Sequence, residues 1–180
     1  MEIIKLDIEG LLLIKPTVFE DERGYFFESF KSPLYKELGL ETAFVQDNES
    51  KSSKNVVRGL HFQNPPYAQG KLVRVIHGSV LDVAVDIRKN SPTYGKWRSV
   101  KLSSDNKLMY WIPEGFAHGF CSLEDDTILT YKCTNLYNKV SEGSIRWNDP
   151  NLDIHWEVAQ PIVSTKDNEA PFFKDFVSLF

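Results

Sequence analysis

The sequence predicts an all-β fold, a sandwich or barrel of the jelly-roll type, on three observations. Short runs rich in β-branched and aromatic residues recur along most of the 180 residues. Turn signals separate these runs at fairly even spacing, and helical periodicity is confined to a few short segments. No internal repeat, linker or low-complexity tract interrupts the pattern. Because many short strands with little helix are typical of sandwiches and barrels, we predict one domain over residues 1–180.

The first third of the chain alternates short strands with polar segments. A short helix over Leu34–Leu38 is expected, because Ser32 and Pro33 supply an N-cap and a first-turn proline and Gly39 ends the segment. Strands are predicted at Gly10–Val18, Tyr25–Phe30 and Phe44–Asn48.

Lys71–Arg88 holds the clearest strand pattern of the sequence. Two β-branched runs, Leu72–Ile76 and Val80–Ile87, are separated by His77-Gly78-Ser79, which is typical of a hairpin turn. Since strand side chains alternate, the second run has an apolar face and a mixed face. The apolar face carries Leu81, Val83, Val85 and Ile87, and the mixed face carries Asp82, Ala84 and Asp86.

The following segment predicts four more strands. They cover Trp97–Leu102, Lys107–Ile112, Ala117–Leu123 and Thr127–Asn135. Pro113-Glu114-Gly115 forms a tight turn, and Glu124-Asp125-Asp126 is interpreted as the turn of a second hairpin. Near the end of the chain, Ala170–Phe180 places apolar residues at helical spacing behind Pro171, so we predict a short C-terminal helix that docks on the barrel.

The composition is that of an ordinary soluble globular protein, with 42% apolar and 26% charged residues. A net charge of −4 argues against nucleic acid as a partner, because phosphate backbones select basic surfaces. No apolar run approaches a membrane span, and the acidic Met1–Glu9 is unlike a signal peptide, so a cytoplasmic location without membrane contact is expected. Cys121 and Cys133 lack CxxC spacing and are predicted to be buried and reduced.

Arg58-Gly59-Leu60-His61 is the first candidate for chemistry. A strand is predicted at Val56–Phe62, and Gly59 loosens it so that Arg58 and His61 can approach one site. A guanidinium beside an imidazole suggests an anionic substrate next to a proton-transfer base. Taken alone, the pair is better explained as a core histidine beside an arginine that reaches solvent, and only the other motifs favour a site.

A second histidine belongs to Pro113-Glu114-Gly115-Phe116-Ala117-His118, which resembles the P-x-G-x-x-H motif of the cupin superfamily. Metal-binding cupins also carry H-x-H and a downstream glutamate, whereas here His61 is followed by Phe62-Gln63. A metal site needs three or four converging ligands, so a cupin-like barrel without a metal is expected. His77 and His155 are interpreted as surface or packing residues.

Acid–base chemistry is then the remaining catalytic option, since the sequence has no nucleotide-binding glycine motif, nucleophile elbow or P-loop. A histidine base needs a carboxylate that orients it. Lys71 could stabilise an enolate, and Tyr131 could deliver a proton from the side opposite the base. Such an arrangement would invert a carbon centre.

Motifs over nearly the whole chain resemble those of the dTDP-4-dehydrorhamnose 3,5-epimerases. They occur in the same order from Leu12 to Asp167. They are Phe19-x-Asp21-x-Arg23-Gly24-x-Phe26-x-Glu28, Phe44-x-Gln46-Asp47-Asn48, Arg58-Gly59-Leu60-His61, Pro65-Pro66-x-Ala68-Gln69-Gly70-Lys71, Pro113-x-Gly115-Phe116-Ala117-His118, Tyr131-Lys132-Cys133-Thr134, Trp147-Asn148-Asp149-Pro150 and Ser164-x-Lys166-Asp167.

The resemblance implies a cupin-like homodimer that epimerises C3 and C5 of dTDP-4-dehydro-6-deoxy-D-glucose without a cofactor, in dTDP-rhamnose biosynthesis for lipopolysaccharide or capsule. It implies His61 as the base, Asp167 as its carboxylate partner, Lys71 as the enolate-stabilising residue and Tyr131 as the opposing acid. Residues implied to bind the substrate are Arg23, Phe26, Glu28, Gln46, Asn48, Arg58, Lys71, His118, Tyr137, Glu142 and Lys166, with Tyr137 stacked on thymine.

Three alternatives stay open. Relatives of this family act on other 4-keto nucleotide sugars, GDP-linked heptoses included, or invert only C5. A metabolite-binding cupin without catalysis would need no base and acid together, so retention of His61, Tyr131 and Asp167 argues against it. A metal-dependent dioxygenase or isomerase would need ligands that the motif around His61 lacks.

Overall fold

A computed structural model describes residues 1–37 and 43–180, and β-strands form most of it. In chain order the strands are β1 (Glu2–Lys5), β2 (Leu12–Lys15), β3 (Phe19–Asp21), β4 (Gly24–Phe26), β5 (Gln46–Ser52), β6 (Val56–Gln63), β7 (Lys71–His77), β8 (Ser79–Asp86), β9 (Trp97–Ser103), β10 (Met109–Ile112), β11 (Phe116–Ser122), β12 (Thr127–Cys133), β13 (Glu142–Ser144) and β14 (Ile162–Val163). The helices are α1 (Ser32–Glu37), α2 (Thr165–Asn168) and a one-turn 3-10 helix (Phe173–Asp175).

Two sheets pack face to face and confirm the predicted jelly-roll class. The first has the strand order β1-β2-β10-β7-β12-β5, and the second has the order β13-β6-β11-β8-β9, with β14 paired in parallel to β6. β3 and β4 form a separate hairpin. The helices cover little of the chain, and no helix among the described residues has the length and apolar character needed to cross a membrane.

The hairpins predicted at His77-Gly78-Ser79 and at Glu124-Asp125-Asp126 are both wrong, because each turn connects strands of different sheets. β7 lies in the first sheet and β8 in the second, and β11 and β12 are divided in the same way. At Gly78, whose φ is +77°, the chain passes from one sheet to the other, so β8 does not pair with β7. The alternation of sheets lets Val75 of β7 and Val80 of β8 meet in the core between the sheets, which a local hairpin would prevent.

The predicted strands in the central part of the chain are found within one or two residues, whereas the early ones differ more. β2 is shorter than Gly10–Val18, and β4 ends at Phe26 instead of Phe30. β5 begins at Gln46 and continues to Ser52, beyond the predicted Asn48. The predicted helix end at Leu38 and Gly39 lies outside the described residues.

The C-terminal helix predicted over Ala170–Phe180 is also wrong, because only Phe173–Asp175 forms a 3-10 turn. Backbone groups here bond to the rest of the domain and not along a helix: Pro171 O, which a helix would pair with Asp175 N, accepts from Arg146 N at 2.8 Å, and Phe180 O accepts from Lys89 N at 3.1 Å. The docking itself is found, since Phe173, Phe176 and Phe180 pack on the outer face of the second sheet. The aromatic spacing therefore indicated burial and not helix.

β8 is buried on both faces, and its alternation agrees with the prediction from the sequence. Leu81, Val83, Val85 and Ile87 pack in a cluster between the second sheet and the C-terminal region. On the other side, Val80 and Ala84 join the core between the sheets. Asp82 lies on that inner side and is fully buried. The two cysteines are buried and free, as predicted.

β6 and β11 approach closely where two glycines face each other. A Cβ on Gly119 would lie 2.7 Å from Arg58 O, and a Cβ on Gly59 would lie 2.6 Å from Gly119 Cα. Gly59 also has φ +136°, a conformation that other residues rarely adopt. The register between the strands shifts at this point, between His118 and Phe120. The contact fixes the spacing between the strands that carry His61 and His118.

Gly119→Ala is expected to destabilise the fold by about 1–3 kcal/mol, because the added methyl group meets backbone that must move. Urea denaturation measures this as a lower midpoint. An unchanged midpoint would show that β6 and β11 separate at no cost and would contradict the assigned contact.

Candidate active site

A cavity of about 810 Å³ opens between the two sheets. The first sheet contributes side chains from β5, β7 and β12, and the second contributes β6 and β11, with β14 and α2 at one side. All four residues predicted to be catalytic line it, as do most of those predicted to bind substrate. These lining residues are His61, Lys71, Tyr131, Asp167, Gln46, Asn48, Arg58, His118, Tyr137, Glu142 and Lys166.

His61 and Asp167 form the shortest polar contact to a histidine in the cavity, with Nε2 2.6 Å from Oδ1. The imidazole is 34% exposed, whereas the carboxylate is only 5% exposed. α2 holds Asp167 in place, because the Ser164 side chain caps it and accepts from Asp167 N. Gly59 N donates to the second carboxylate oxygen at 3.3 Å. With Nε2 engaged by Asp167, Nδ1 is the nitrogen of His61 left to act as a base.

The pKa of Asp167 lies below its ordinary value. Burial raises this pKa, but hydrogen bonding to His61, the charge of His61 and the backbone N–H of Gly59 together outweigh that effect. Asp167 therefore stays ionised and can orient and stabilise a protonated imidazole.

His118 forms a second, deeper pair with Asp82, a residue that sequence reasoning did not assign to the site. Nε2 of His118 lies 2.9 and 3.0 Å from the two carboxylate oxygens, and Asp82 is fully buried. Burial lowers the pKa of His118 and raises the pKa of Asp82. A neutral ring that donates Nε2–H to Asp82 keeps Nδ1 as an acceptor. The sequence did offer one indication of this role, because Asp82 is a carboxylate within the otherwise mostly apolar strand β8.

Lys71 and Tyr131 lie on the neighbouring strands β7 and β12, with the ammonium 5.7 Å from the ring centroid. Burial lowers the pKa of Lys71, and the surrounding Cys133, Asp82 and Glu142 oppose that shift. Burial also raises the pKa of Tyr131, so its phenol remains a proton donor. The site thus places a poorly solvated ammonium beside a protonated phenol.

β5 presents a row of polar side chains to the cavity, because alternate residues of a strand share a face. Gln46 Nε2 donates to Asn48 Oδ1 at 3.0 Å, and Ser50 follows on the same face. Arg58 crosses from β6 and donates to Ser52 Oγ and Lys51 O, both at 3.1 Å. Both acceptors are uncharged, which leaves the positive charge of Arg58 for an anionic ligand.

The rim of the cavity carries Tyr137, Glu142 and Lys166. Lys166 Nζ lies 2.7 Å from Glu142 Oε1, and Tyr137 Oη donates to Glu142 Oε2 at 3.3 Å. The hydrogen bond to Lys166 lowers the pKa of Glu142, so the pair is charged. The Tyr137 ring is 55% exposed and available to a ligand.

Three predicted substrate-binding residues do not line the cavity. Arg23 and Phe26 belong to the exposed hairpin of β3 and β4, where Phe26 is 67% exposed and Arg23 pairs with Asp21 at 2.5 Å. Glu28 follows the hairpin and pairs with Lys31 at 3.0 Å. The expectation that these three residues bind substrate is therefore not met within the cavity of their own chain.

The other two histidines, His77 and His155, are exposed, in agreement with their interpretation as surface residues. Among residues 1–37 and 43–180, no three His, Cys, Asp or Glu side chains converge in the way that a metal ion requires.

Comparison with known proteins gives one consistent result. A family model described as dTDP-4-dehydrorhamnose 3,5-epimerase matches residues 5–175. The dTDP-4-dehydrorhamnose 3,5-epimerase of Salmonella typhimurium is 56% identical over 173 residues, which is 95% of this chain and 94% of that protein.

Two crystal structures agree with the sequence relatives. The epimerase of Elizabethkingia anophelis is 50% identical, with a TM-score of 0.93 over 97% of both chains. The Legionella pneumophila enzyme, solved in complex with dTDP-4-keto-L-rhamnose, is 48% identical, with a TM-score of 0.94 over 98% of this chain and 94% of that chain.

The depressed pKa of Asp167 predicts a pH-dependent contribution to stability. Because the folded-state value lies below the unfolded one of about 3.9, the contribution is present at higher pH and is lost as the pH falls through the folded-state value. Asp167→Asn should therefore lose less stability than wild type between about pH 6 and pH 3 in urea denaturation. Asp105→Asn, in an exposed turn, is the control and should follow wild type. A wild-type pH dependence in Asp167→Asn would contradict the assignment.

Proposed function

The chain belongs to the dTDP-4-dehydrorhamnose 3,5-epimerase family, and on that premise we propose that it converts dTDP-4-dehydro-6-deoxy-D-glucose to dTDP-4-dehydro-L-rhamnose. The observation that carries this proposal is the meeting of His61, Asp167, Lys71 and Tyr131 in one cavity. These groups supply a base, its orienting carboxylate, a cation for an enolate and a second acid. Binding of a metabolite without turnover needs none of that arrangement.

Proton transfer proceeds through a C4 enolate. The C4 ketone acidifies the hydrogens on C3 and C5, and His61 removes one of them through Nδ1, while Asp167 stabilises the imidazolium through Nε2. The electron pair of the broken C–H bond moves into the ring and places negative charge on the C4 oxygen. Tyr131 then gives its phenolic proton to the opposite face of the carbon, which inverts it. His61 then releases its proton to solvent and Tyr131 takes one up, which returns both side chains to their starting states.

Lys71 stabilises the enolate because it is a buried cation that forms no salt bridge with the carboxylates of residues 1–37 and 43–180. Its ammonium is poorly solvated, as its lowered pKa indicates, so negative charge arising nearby is strongly favoured. The ketone carries less charge than the enolate, so the interaction strengthens as the reaction proceeds. Lys71 therefore acts on the transition state more than on substrate binding.

The rest of the cavity binds the nucleotide and the sugar. Arg58 and Lys166 face the diphosphate, which explains how a protein of net charge −4 binds a dianionic substrate. Tyr137 stacks on thymine, since its ring is exposed beside the charged pair of Glu142 and Lys166. The remaining polar contacts come from Gln46, Asn48, Glu142 and His118.

We further propose a homodimer in which the β3–β4 hairpin of one protomer completes the cavity of its partner. The hairpin exposes Phe19, Tyr25 and Phe26, which is unfavourable in an isolated chain. In the described part of the chain, β5 is the last strand of its sheet and its outer edge lies beside the cavity. An incoming strand at such an edge would gain backbone hydrogen bonds. In such a dimer, Arg23, Phe26 and Glu28 of one protomer would bind the substrate in the cavity of the other protomer.

We also propose that residues 1–180 act as a single epimerase domain, since the two sheets share a core. The cytoplasm is the proposed location, in keeping with a nucleotide-sugar substrate and with two free cysteines.

His61→Ala is expected to abolish hydrogen exchange at C3 and C5 while leaving nucleotide binding nearly unchanged, because the side chain is the base and not an anchor. NMR in deuterated water with dTDP-4-dehydro-6-deoxy-D-glucose follows the exchange, and titration with dTDP follows binding. Wild type should place deuterium at both carbons.

Other outcomes separate the alternatives. Deuterium at C5 alone would make the protein a mono-epimerase, and no exchange in wild type would exclude this substrate. Equal loss of binding and exchange in His61→Ala would remove His61 from the role of base.

Mixing two inactive variants tests the proposed dimer. His61→Ala lacks the base, and Arg23→Ala lacks a hairpin residue, so a mixed dimer would hold one intact cavity if the hairpin crosses to the partner. Co-expression should recover about a quarter of wild-type activity with random pairing. Absence of recovery, with mixed dimers verified by mass spectrometry, would contradict the shared site.

A further inference from the structure

The loop of residues 135–141 exposes apolar side chains at the rim of the cavity. Val140 is 96% exposed, Leu136 is 58% exposed and Tyr137 is 55% exposed. Exposed apolar side chains usually accompany a loosely held loop, since nothing packs on them. In this loop the backbone is tightly bonded, which is unusual for a segment whose side chains contact so little.

Gln63 supplies much of that bonding. Its Nε2 donates to Leu136 O at 3.1 Å and to Tyr67 O at 2.6 Å. Its Oε1 accepts from Asn138 N at 2.7 Å. The amide therefore holds the residue before Tyr137 and the residue after it, and it connects both to the loop that contains Tyr67.

The environment of Gln63 makes these bonds costly to lose. The residue is 5% exposed, and both amide hydrogens and the carbonyl oxygen are used. The amide fits in one orientation only, because two carbonyl oxygens need donors and one N–H needs an acceptor. A side chain without these groups would leave Leu136 O, Tyr67 O and Asn138 N without this partner.

Neighbouring residues complete the restraint. Tyr137 N donates to Gln46 Oε1 at 2.8 Å, and Asn135 O accepts from Gln69 Nε2 at 2.7 Å. At the far end, Asn138 Oδ1 accepts from Val140 N and Ser141 N. These bonds act on the backbone of the loop, whereas the Tyr137 side chain has one hydrogen bond, to Glu142. The loop thus holds its backbone fixed and leaves the ring free to meet a ligand.

We propose that Gln63 is a positioning residue of the nucleotide site, which acts through Tyr137 by fixing the peptide groups on either side of it. The inference rests on the proposed stacking of Tyr137 on the nucleobase. A ring held in place before binding loses less conformational entropy when the base arrives. Gln63 thus contributes to affinity for the nucleotide without touching the reacting carbons.

Calorimetric titration with dTDP tests the inference on Gln63→Met, Tyr137→Ala and the double variant. Tyr137→Ala should weaken dTDP binding about ten-fold or more, as loss of a base–aromatic stack does. Gln63→Met should weaken it about 3- to 10-fold, the effect of releasing one ordered side chain. The double variant should resemble Tyr137→Ala, since a residue that acts through Tyr137 has no effect once the ring is gone.

A second readout separates positioning from general destabilisation. Gln63→Met should raise KM while deuterium exchange at saturating substrate stays within about two-fold of wild type. Asn106→Leu is the matched control: its side chain also bonds three backbone groups, in a turn remote from the cavity, and dTDP affinity should be unchanged. If Gln63→Met does not fold, Gln63→Asn keeps the amide but shortens its reach and should show the same shift in KM.

The outcomes are distinguishable. Unchanged dTDP affinity in Tyr137→Ala would remove the stacking role and with it this part of the proposed function. Weaker binding in Tyr137→Ala but not in Gln63→Met, or fully additive effects in the double variant, would overturn the role of Gln63 alone.

Discussion

The hydrogen bond between His61 and Asp167 joins parts of the chain that are 106 residues apart, and the candidate site depends on it. Asp167 can reach His61 only because the C-terminal region packs on the outer face of the second sheet, through Trp156 and the phenylalanines that follow it. The same carboxylate accepts from Gly59 N, where β6 and β11 approach closely and their register shifts. One buried carboxylate therefore connects the packing of the C-terminal region, the contact between these strands and the proposed base.

The sequence predicted which segments form strands better than how these strands pair. Alternation along Val80–Ile87 correctly indicated its two faces, because that pattern is local. The turn at Gly78 was recognised, yet a turn signal does not tell which sheet the next strand joins. That choice depends on contacts in the core between strands distant in sequence. At the C-terminus, the phenylalanine spacing indicated burial, but Pro171 O accepts from Arg146 N and the backbone is extended at Phe176, so no helix continues there.

In the site, family motifs identified residues that carry distinctive chemistry, whereas the residues that hold them were missed. Asp82 and His118 are 36 positions apart, and only the antiparallel pairing of β8 with β11 brings them together. In the sequence, Gln63 was noted only because it stands where the H-x-H motif of metal-binding cupins has its second histidine. Its partners, Leu136 O and Asn138 N, belong to a loop more than 70 residues away. Because every residue has a backbone carbonyl, a hydrogen bond to the backbone cannot be predicted from the residue types of a single sequence.

The position of Gln63 connects these observations. It lies two residues after His61 on the same strand, so both side chains face the cavity, where metal-binding cupins place their paired histidines. Here the first position carries the proposed base, hydrogen-bonded to a carboxylate, and the second bonds to the loop that contains Tyr137. In the proposed function, one strand therefore positions groups for both the reacting end and the nucleotide end of the substrate. Since the close contact between Gly59 and Gly119 fixes the position of this strand, a displacement there would move both side chains, and nucleotide affinity and turnover would change together.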